Sequence, residues 1–207
     1  MDYIDITIPL SEKTPVFPGD PEVRFKPLVR DGFRLTSIEL SSHSGTHVDS
    51  PLHYIEGGLS VDRIPLGKIN GESIVVDLRG SGHSSGFVEK EDLPEKPDDA
   101  KILILNTGFS PESSGMDRYM SVSTECAEYL ADCGYTCVVT DAPSIEAFDG
   151  DGTVHRILLG RDVYIIEMAD LSHVSPGRYH LYAMPLKLEG CDGSPVRAVL
   201  VPCSKEV

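Results

Sequence analysis

The sequence has no tryptophan, few basic residues and no long apolar run, and these shortages exclude several classes of protein. Only 18 Lys and Arg stand against 33 Asp and Glu, which gives a formal net charge of -15. Nucleic acids and anionic membranes bind basic patches, so we expect neither as a partner. No apolar segment approaches the roughly 20 residues of a membrane-spanning helix. The acidic N-terminus lacks the basic stretch of a signal peptide, and we expect a cytoplasmic protein.

Cysteines are too few and too irregularly spaced to form a structural framework. Their number is odd and no Cys-x-x-Cys pair occurs, which argues against both a disulfide scaffold and a zinc ribbon. We interpret Cys133 and Cys137 as small buried thiols.

The remaining composition is that of an ordinary globular chain. With 207 residues, of which 40% are apolar, the chain is long enough for one domain with a substantial core, and we predict a single domain over residues 1–207. One helix is predicted over 124–133, because acidic residues lie in its first turns and Gly134 follows its end. Apolar or alternating segments predict seven strands near 4–8, 34–41, 71–78, 100–106, 137–140, 162–166 and 196–201.

Seven strands with one clear helix predict a mixed, sheet-dominated α/β fold. The Gly- and Ser-rich segment 79–86 lacks the Gly-Lys-Ser/Thr of a phosphate loop, so we interpret it as an exposed loop with a solvated His83.

The segment from His43 to His53 is the densest cluster of metal-ligand residues. It reads His-Ser-Gly-Thr-His-Val-Asp-Ser-Pro-Leu-His, with three of the chain's seven histidines, where composition predicts about 0.4 in eleven residues. Gly45 and Thr46 disfavour a helix, so we predict a tight loop that enters a short extended piece. His47 and Asp49 then project to the same side, and Pro51 ends the extension, with His53 nearby. This donor set predicts a catalytic metal site with His43, His47 and Asp49 as ligands.

Further ligands are expected elsewhere in the chain. Glu167 closes an apolar run, and a buried carboxylate is costly unless it is paired or binds a metal. From spacing alone, Glu167 is equally well a solvated strand end, and His155 a loop histidine that bonds the backbone. Asp141 also ends a strand, which indicates either an acid that supports the site or a strand cap. We assign no role to His173 and His180, which we place in a polar loop.

Together these residues resemble the cyclase-like metal-dependent hydrolases that include bacterial kynurenine formamidase. That family carries a His-x-Gly-Thr-His-x-Asp-x-Pro-x-x-His-type run, which the segment 43–53 matches except that one residue, not two, separates the proline from the last histidine. The resemblance extends to the Val-Phe-Pro-Gly-Asp loop at 16–20, to Asp-Ala-Pro-Ser at 141–144, and to the stretch from His155 to Glu167.

The resemblance implies a swivelling β/β/α fold, a homodimer or homotetramer, and two divalent metal ions, zinc or else manganese. It implies that His43, His47 and Asp49 hold one ion, that Asp49 and Glu167 bridge to a second ion completed by His155, and that His53 is the acid/base group. Family members with kynurenine formamidase activity have a tryptophan in the early loop, facing the aromatic substrate, where this chain has Phe17. Phe17 is therefore the expected substrate-binding residue, with a smaller ring and no indole N–H.

The leading hypothesis is metal-dependent hydrolysis of a small aromatic amide, N-formylkynurenine, to kynurenine and formate. Metal-activated water would attack the formyl carbon, with His53 moving the proton. One alternative keeps the metal but acts on a cyclic amide or lactone, as isatin hydrolase-like relatives do, and the missing tryptophan keeps it open. Another is a metal-binding relative without turnover, which His53 argues against because simple binding has little use for it.

Overall fold

The computed structural model describes residues 2–80, 86–110 and 115–203. His83, which was predicted to be solvated in an exposed loop, lies outside these described residues.

Twelve strands, two α-helices and four 3-10 turns form the described part of the chain. The helices are α1 (Thr124–Asp132) and α2 (Thr153–Gly160), and the 3-10 turns are Pro51–His53, Val61–Arg63, Leu66–Lys68 and Lys90–Asp92. The strands are β1 (Ile4–Asp5), β2 (Arg24–Arg30), β3 (Phe33–Glu39), β4 (His47–Asp49), β5 (Gly71–Asp77), β6 (Phe87–Val88), β7 (Ile102–Asn106), β8 (Ser121–Val122), β9 (Cys137–Thr140), β10 (Tyr164–Glu167), β11 (Gly177–Pro185) and β12 (Gly193–Pro202).

The main sheet closes on itself. Its order is β1-β12-β11-β5-β7-β9-β10-β4, and β4 also pairs with β12, so seven strands form a closed ring with β1 added beside β12. Strands β5, β7, β9 and β10 are parallel, whereas β4 runs antiparallel to both β10 and β12. The short strand β4 therefore lies between two strands that are far away in sequence.

Alternating side chains of the central strands form two apolar layers. On β7, Ile102 and Ile104 point into the closed sheet, while Leu103 and Leu105 point to the opposite face. Helices α1 and α2 cover that second face, with Leu130 and other apolar side chains packed against it. Strands buried on both faces explain why these segments read as continuous apolar runs.

The predicted mixed, sheet-dominated α/β fold is confirmed. The helix predicted at 124–133 is also confirmed: the Ser123 side chain accepts a hydrogen bond from the Cys126 N–H at its start, and Gly134 has φ +78° beyond its end. All five cysteines are free, and Cys137 is fully buried as predicted, whereas Cys133 is only half-buried.

Two expectations about the elements were wrong. A second helix, α2, contains His155, for which a loop position had been one alternative. Strand β11 includes His180, which had been placed in a polar loop. The strand predicted at 34–41 is confirmed as β3, which pairs with β2 in a separate hairpin.

None of the helices in the described residues has both the length and the apolar character of a membrane span.

Candidate metal centre

Strand β4 presents His47 and Asp49 to the same side, as the two-residue spacing predicts. Thr46 fixes the position of the chain where it enters β4. Its hydroxyl donates to the Met168 carbonyl at 2.6 Å and accepts from the Ile8 N–H at 2.9 Å. Gly45 precedes it with φ +64°, and a Cβ there would lie 2.7 Å from Leu10 Cδ2. Gly45 therefore permits the turn, and Thr46 attaches it to the segments around Ile8 and Met168. The strand that follows, β4, carries the predicted metal ligands.

Strand β10 adds Glu167 beside them. In the antiparallel β4–β10 pair Glu167 is the register partner of His47, so both side chains lie on the same face of the sheet. Glu167 is buried, and its Oε1 accepts a hydrogen bond from the Ile145 N–H at 2.7 Å. The carboxylate that ends the apolar run is thus part of the site and not a solvated strand end.

Helix α2 packs over this face of the sheet and places His155 next to Asp49 and Glu167. The His155 Nδ1 lies 2.8 Å from Oε2 of the buried Glu146, which leaves Nε2 directed at the carboxylates of β4 and β10. Glu146 also accepts from the backbone N–H of Gly152 at 2.6 Å and of His155 at 3.3 Å. One carboxylate therefore caps the start of α2 and fixes the ring of His155.

His43 and His53 form the third wall, next to Asp192. The centroids of the two rings lie 4.0 Å apart, and the ring planes are tilted by 32°. Asp192 Oδ2 lies 3.1 Å from His43 Nε2 and 3.4 Å from His53 Nδ1. The close approach of His43 requires Gly193, because a Cβ there would lie 2.8 Å from His43 Cε1. The other nitrogen of His43, Nδ1, lies 2.9 Å from Asp49 Oδ1.

The separations within the cluster suit ligands that share a divalent metal. His47 Nε2 lies 3.4 Å from both Asp49 Oδ1 and Glu167 Oε2. His155 Nε2 lies 3.5 Å from Glu167 Oε1 and 3.8 Å from Asp49 Oδ2. Two ligands on one tetrahedral zinc ion, with bonds of about 2.1 Å, are roughly 3.4 Å apart. The donor atoms are therefore spaced as they would be around an ion.

An unpaired buried oxygen supports the same interpretation. Asp49 is fully buried, and its Oδ2 has no hydrogen-bond partner among the described residues. Such an atom is costly unless a cation neutralises it. Within the described ranges, three sets of side chains have ligand atoms close enough to hold an ion: His43, His47 and Asp49; Asp49, His53 and His155; His43, His53 and Asp192.

The charges in the cluster also favour a cation. Burial disfavours the charged form of His47, but hydrogen bonds and attraction from Asp49 and Glu167 outweigh it and raise its pKa to about 10. Burial also disfavours the charged forms of His43 and His155. Asp192 and Asp49 outweigh this effect at His43, and Glu146 and Glu167 do so at His155, so that the pKa of each ring rises to about 9. The pKa of His53 is lowered, mainly by burial. The same carboxylates that hold protons on these rings would attract a divalent metal to the same nitrogen atoms.

The cluster lies in a cavity of about 220 Å³ whose wall includes His43, His47, His53, His155 and Glu167. This size suits a small molecule. Phe17 lines the cavity, and its ring packs against Phe148 with centroids 5.5 Å apart. Tyr54 also lines it and stacks on His155 at 4.3 Å, with an interplanar angle of 18°.

The structure brings together all six residues assigned to the metal and to acid/base chemistry, with Phe17 in the same cavity wall. Asp141 proves to be a strand cap: its carboxylate accepts hydrogen bonds from Thr107, Gly108 and Phe109, and it forms no hydrogen bond or salt bridge with the described residues of the cluster. His173 and His180 lie elsewhere, near Asp170 and Glu72.

Glu146, Asp192 and Tyr54 also belong to the site but were not predicted from the sequence. Tyr54 directly follows the histidine segment, which was a usable signal. Glu146 and Asp192 carried none, since each is one acid among 33 and acquires its role only through contacts between distant segments.

Two features characterise the class of protein to which the chain belongs: the closed mixed sheet, and the cluster of histidine and carboxylate side chains next to α2. Residues 4–147, more than half of the chain, match the Cyclase family model, described as "Putative cyclase". The chain belongs to this family.

Particular relatives fit the same class. The kynurenine formamidase of Salinibacter ruber is 36% identical over 206 residues, covering 97% of each chain. A solved structure described as a potential metal-dependent hydrolase with cyclase activity has a TM-score of 0.81 at 31% identity, covering 96% of each chain. Isatin hydrolase A from Labrenzia aggregata has a TM-score of 0.83 at 21% identity, covering 97% of this chain and 93% of the other, and shows the same fold. These matches confirm the resemblance to kynurenine formamidases, and with the donor set they support a divalent-metal site.

Proposed function

We propose that this protein is a metal-dependent hydrolase that cleaves the formyl C–N bond of N-formylkynurenine. The observation that carries the proposal is the buried cluster of His47, Asp49, His155 and Glu167, of which all but Asp49 line a cavity of small-molecule size. The near full-length similarity to the kynurenine formamidase of Salinibacter ruber supports the choice of reaction. The substrate class is a small aromatic amide.

The metal site is proposed to hold two divalent ions, zinc in preference to manganese. His43, His47 and Asp49 would hold one ion, and His155 would complete the other, with Asp49 and Glu167 between them. The positions of the two carboxylates support this arrangement, because each has one oxygen near His47 and the other near His155. A bound divalent ion supplies a lowered pKa for water and a polarised carbonyl.

His53 is proposed to move the proton. A water molecule adds to the formyl carbon and gives its proton to His53, which returns a proton to the anilide nitrogen as the C–N bond breaks. Kynurenine and formate are the products. The His53 ring lines the cavity, and the contact of its Nδ1 with Asp192 leaves Nε2 for this exchange.

Phe17 is proposed to contact the aromatic ring of the substrate. Its ring lines the cavity and is supported by Phe148. Aromatic pairs in offset or edge contact contribute about 0.5–1.5 kcal/mol beyond burial. A phenyl ring therefore suits an anilide, although it offers less surface than an indole.

A second candidate function is hydrolysis of a cyclic amide such as isatin. The observation that favours it is Phe17, since the chain has no tryptophan to face a kynurenine-type ring. The same cluster would serve ring opening, because an amide C–N bond breaks in both reactions.

The test is steady-state hydrolysis of N-formylkynurenine by protein that has been chelated and then reloaded with zinc or manganese. We expect metal-dependent turnover with kcat/KM above about 10⁴ M⁻¹s⁻¹. His53→Ala should retain its metal content while turnover falls by about 10² to 10⁴. The matched control is His173→Ala, on an exposed histidine outside the site.

The outcomes separate the candidates. Turnover of isatin but not of the formamide would move the assignment to cyclic amides, and bound metal without turnover of amides, lactones or imides would indicate a binding protein. Loss of metal from His53→Ala would make His53 a ligand. A homo-oligomer, a single domain over residues 1–207 and a cytoplasmic location remain predictions.

A further inference from the structure

The early Phe-Pro-Gly-Asp segment at 17–20 forms a hydrogen-bonded turn beside the cavity. The Asp20 N–H donates to the Phe17 carbonyl at 3.0 Å, and Gly19 has φ +101°, as the third residue of a type II turn requires. The first and last Cα atoms of such a turn are less than about 7 Å apart. Both Phe17 and Asp20 line the cavity. The turn therefore places an aromatic residue and an acidic residue side by side in one wall.

Asp20 is the cavity carboxylate that the metal cluster does not use. The described residues of the wall include two acids, Asp20 and Glu167. Glu167 lies 3.4 Å from a ring nitrogen of His47 and 3.5 Å from one of His155. Asp20 is half-buried, and its side chain forms no salt bridge or hydrogen bond with any described residue. A carboxylate that is partly removed from water without a partner favours a cation next to it.

The rest of the wall offers that carboxylate no positive charge. The described residues that line the cavity include no lysine and no arginine. Apart from the cluster, they are apolar or neutral: Pro15, Gly45, Tyr54, Met116, Pro143, Ser144 and Met168. A cationic group on a ligand is attracted to Asp20, and an anionic group is repelled. The missing cation is thus expected to come with the ligand.

We propose that Asp20 is a specificity-determining residue whose carboxylate binds the α-ammonium group of the substrate. The inference rests on the proposed function, and it narrows the substrate class to aromatic amides that carry an ammonium side chain. N-formylkynurenine has its ammonium group on a short chain attached to the aromatic ring, so a ring against Phe17 brings this group towards Asp20. Isatin has no ammonium group, so the contact favours the formamide over the cyclic amide.

Steady-state kinetics with two substrates tests the proposal. The first substrate is N-formyl-L-kynurenine, and the second is its desamino analogue, in which a hydrogen atom replaces the ammonium group. Hydrogen bonds between ionised groups are about twice as strong as those between neutral groups. We expect wild-type kcat/KM to be about 10-fold or more higher for the substrate with the ammonium group.

Asp20→Asn should abolish this preference. KM for N-formylkynurenine should rise by about 10-fold with little change in kcat, because the contact is remote from the formyl carbon and is made equally before and during the reaction. KM for the desamino analogue should not rise. Asp20→Glu keeps the charge and should retain the preference for the ammonium substrate.

The matched control is Glu22→Gln, which removes the same charge two residues away from an exposed side chain outside the wall. It should change neither KM. Zinc content and Tm of every variant should equal those of the wild type, because the Asp20 side chain contacts no described polar group. If Asp20→Asn fails to fold, the wild-type preference still decides, since a wild type with equal kcat/KM for both substrates would overturn the proposal.

Two further outcomes would overturn it. An equal rise of KM for both substrates in Asp20→Asn would mean that Asp20 only supports the loop, and an equal effect of Glu22→Gln would implicate total charge. Absence of turnover with either formamide would instead refute the proposed function. Titration calorimetry with L-kynurenine and its desamino analogue then decides: binding that needs both the ammonium group and Asp20 supports the inference, and equal or absent binding overturns it.

Discussion

Replacing Glu146 with glutamine removes the negative charge from a buried carboxylate that accepts three hydrogen bonds. One oxygen accepts from the Gly152 N–H, and the other lies against the His155 N–H and His155 Nδ1. Glutamine has one acceptor oxygen and one donor NH₂ group. If its oxygen stays at Gly152, its NH₂ group faces the two His155 nitrogens and conflicts with any proton they carry.

Two effects follow from this substitution, and both have a magnitude. The loss of a charge-assisted bond at the start of α2 should cost about 2 kcal/mol of unfolding free energy. For a chain of this size that lowers Tm by about 4–8 °C. The conflict at Nδ1 favours the tautomer of His155 with its proton on Nε2, the atom that faces Asp49 and Glu167. Loss of such a supporting carboxylate typically weakens metal affinity by about 10- to 100-fold.

The two effects can be measured separately. Thermal unfolding of the chelated protein measures the stability that the helix cap contributes, and competition with a chromophoric chelator measures the zinc affinity. The matched control is Asp149→Asn, which removes the same charge from an exposed position in the same segment and should change neither quantity. If Glu146→Gln has a lower Tm but binds zinc as tightly as the wild type, Glu146 acts only as a helix cap. No change in either measurement would refute the reasoning altogether.

The remaining predictions concern the metal, pH, the cavity mouth and the strand cap. Chelation should lower Tm, and zinc at about 1,000 times its dissociation constant should restore about 4 kcal/mol; a Tm unaffected by zinc would contradict a metal site. Because carboxylates raise the pKa of His43 and His155 to about 9, zinc must displace protons, so affinity should fall as pH falls below that value, and calorimetry in two buffers should detect their release. Phe17→Ala should raise KM for the anilide by about 10-fold with little change in kcat; an unchanged KM would place the ring elsewhere. Asp141→Ala should cost about 1–3 kcal/mol by thermal unfolding, because Thr107 and Gly108 lose hydrogen bonds to a buried carboxylate, and an unchanged Tm would exclude the cap.

The geometry of the histidine segment was predictable from the sequence because its determinants are local. Gly45 turns the chain, the two-residue spacing places His47 and Asp49 on one side, and Pro51 starts the 3-10 turn that ends at His53. Each of these effects acts over a few residues, so spacing and residue type were sufficient.

The elements that were missed show where local signals fail. Helix α2 has only eight residues, and its N-cap residue is Gly152, which has no side chain, so Glu146 from outside the helix supplies the cap. Strand β11 alternates polar and apolar residues but contains Arg178 and His180, which suggested a loop. In both cases packing against the rest of the sheet outweighs local preference.

The sequence by itself indicated the kind of chemistry, because it showed which residues are candidate metal ligands, and it indicated that the sheet dominates the fold. Only the tertiary structure decided which acids support those residues, because Glu146 and Asp192 reach the histidines across contacts between distant segments. The closure of the sheet, with β4 held between β10 and β12, creates those contacts. Such pairings are stabilised by burial over the whole fold, so no short stretch of sequence contains them.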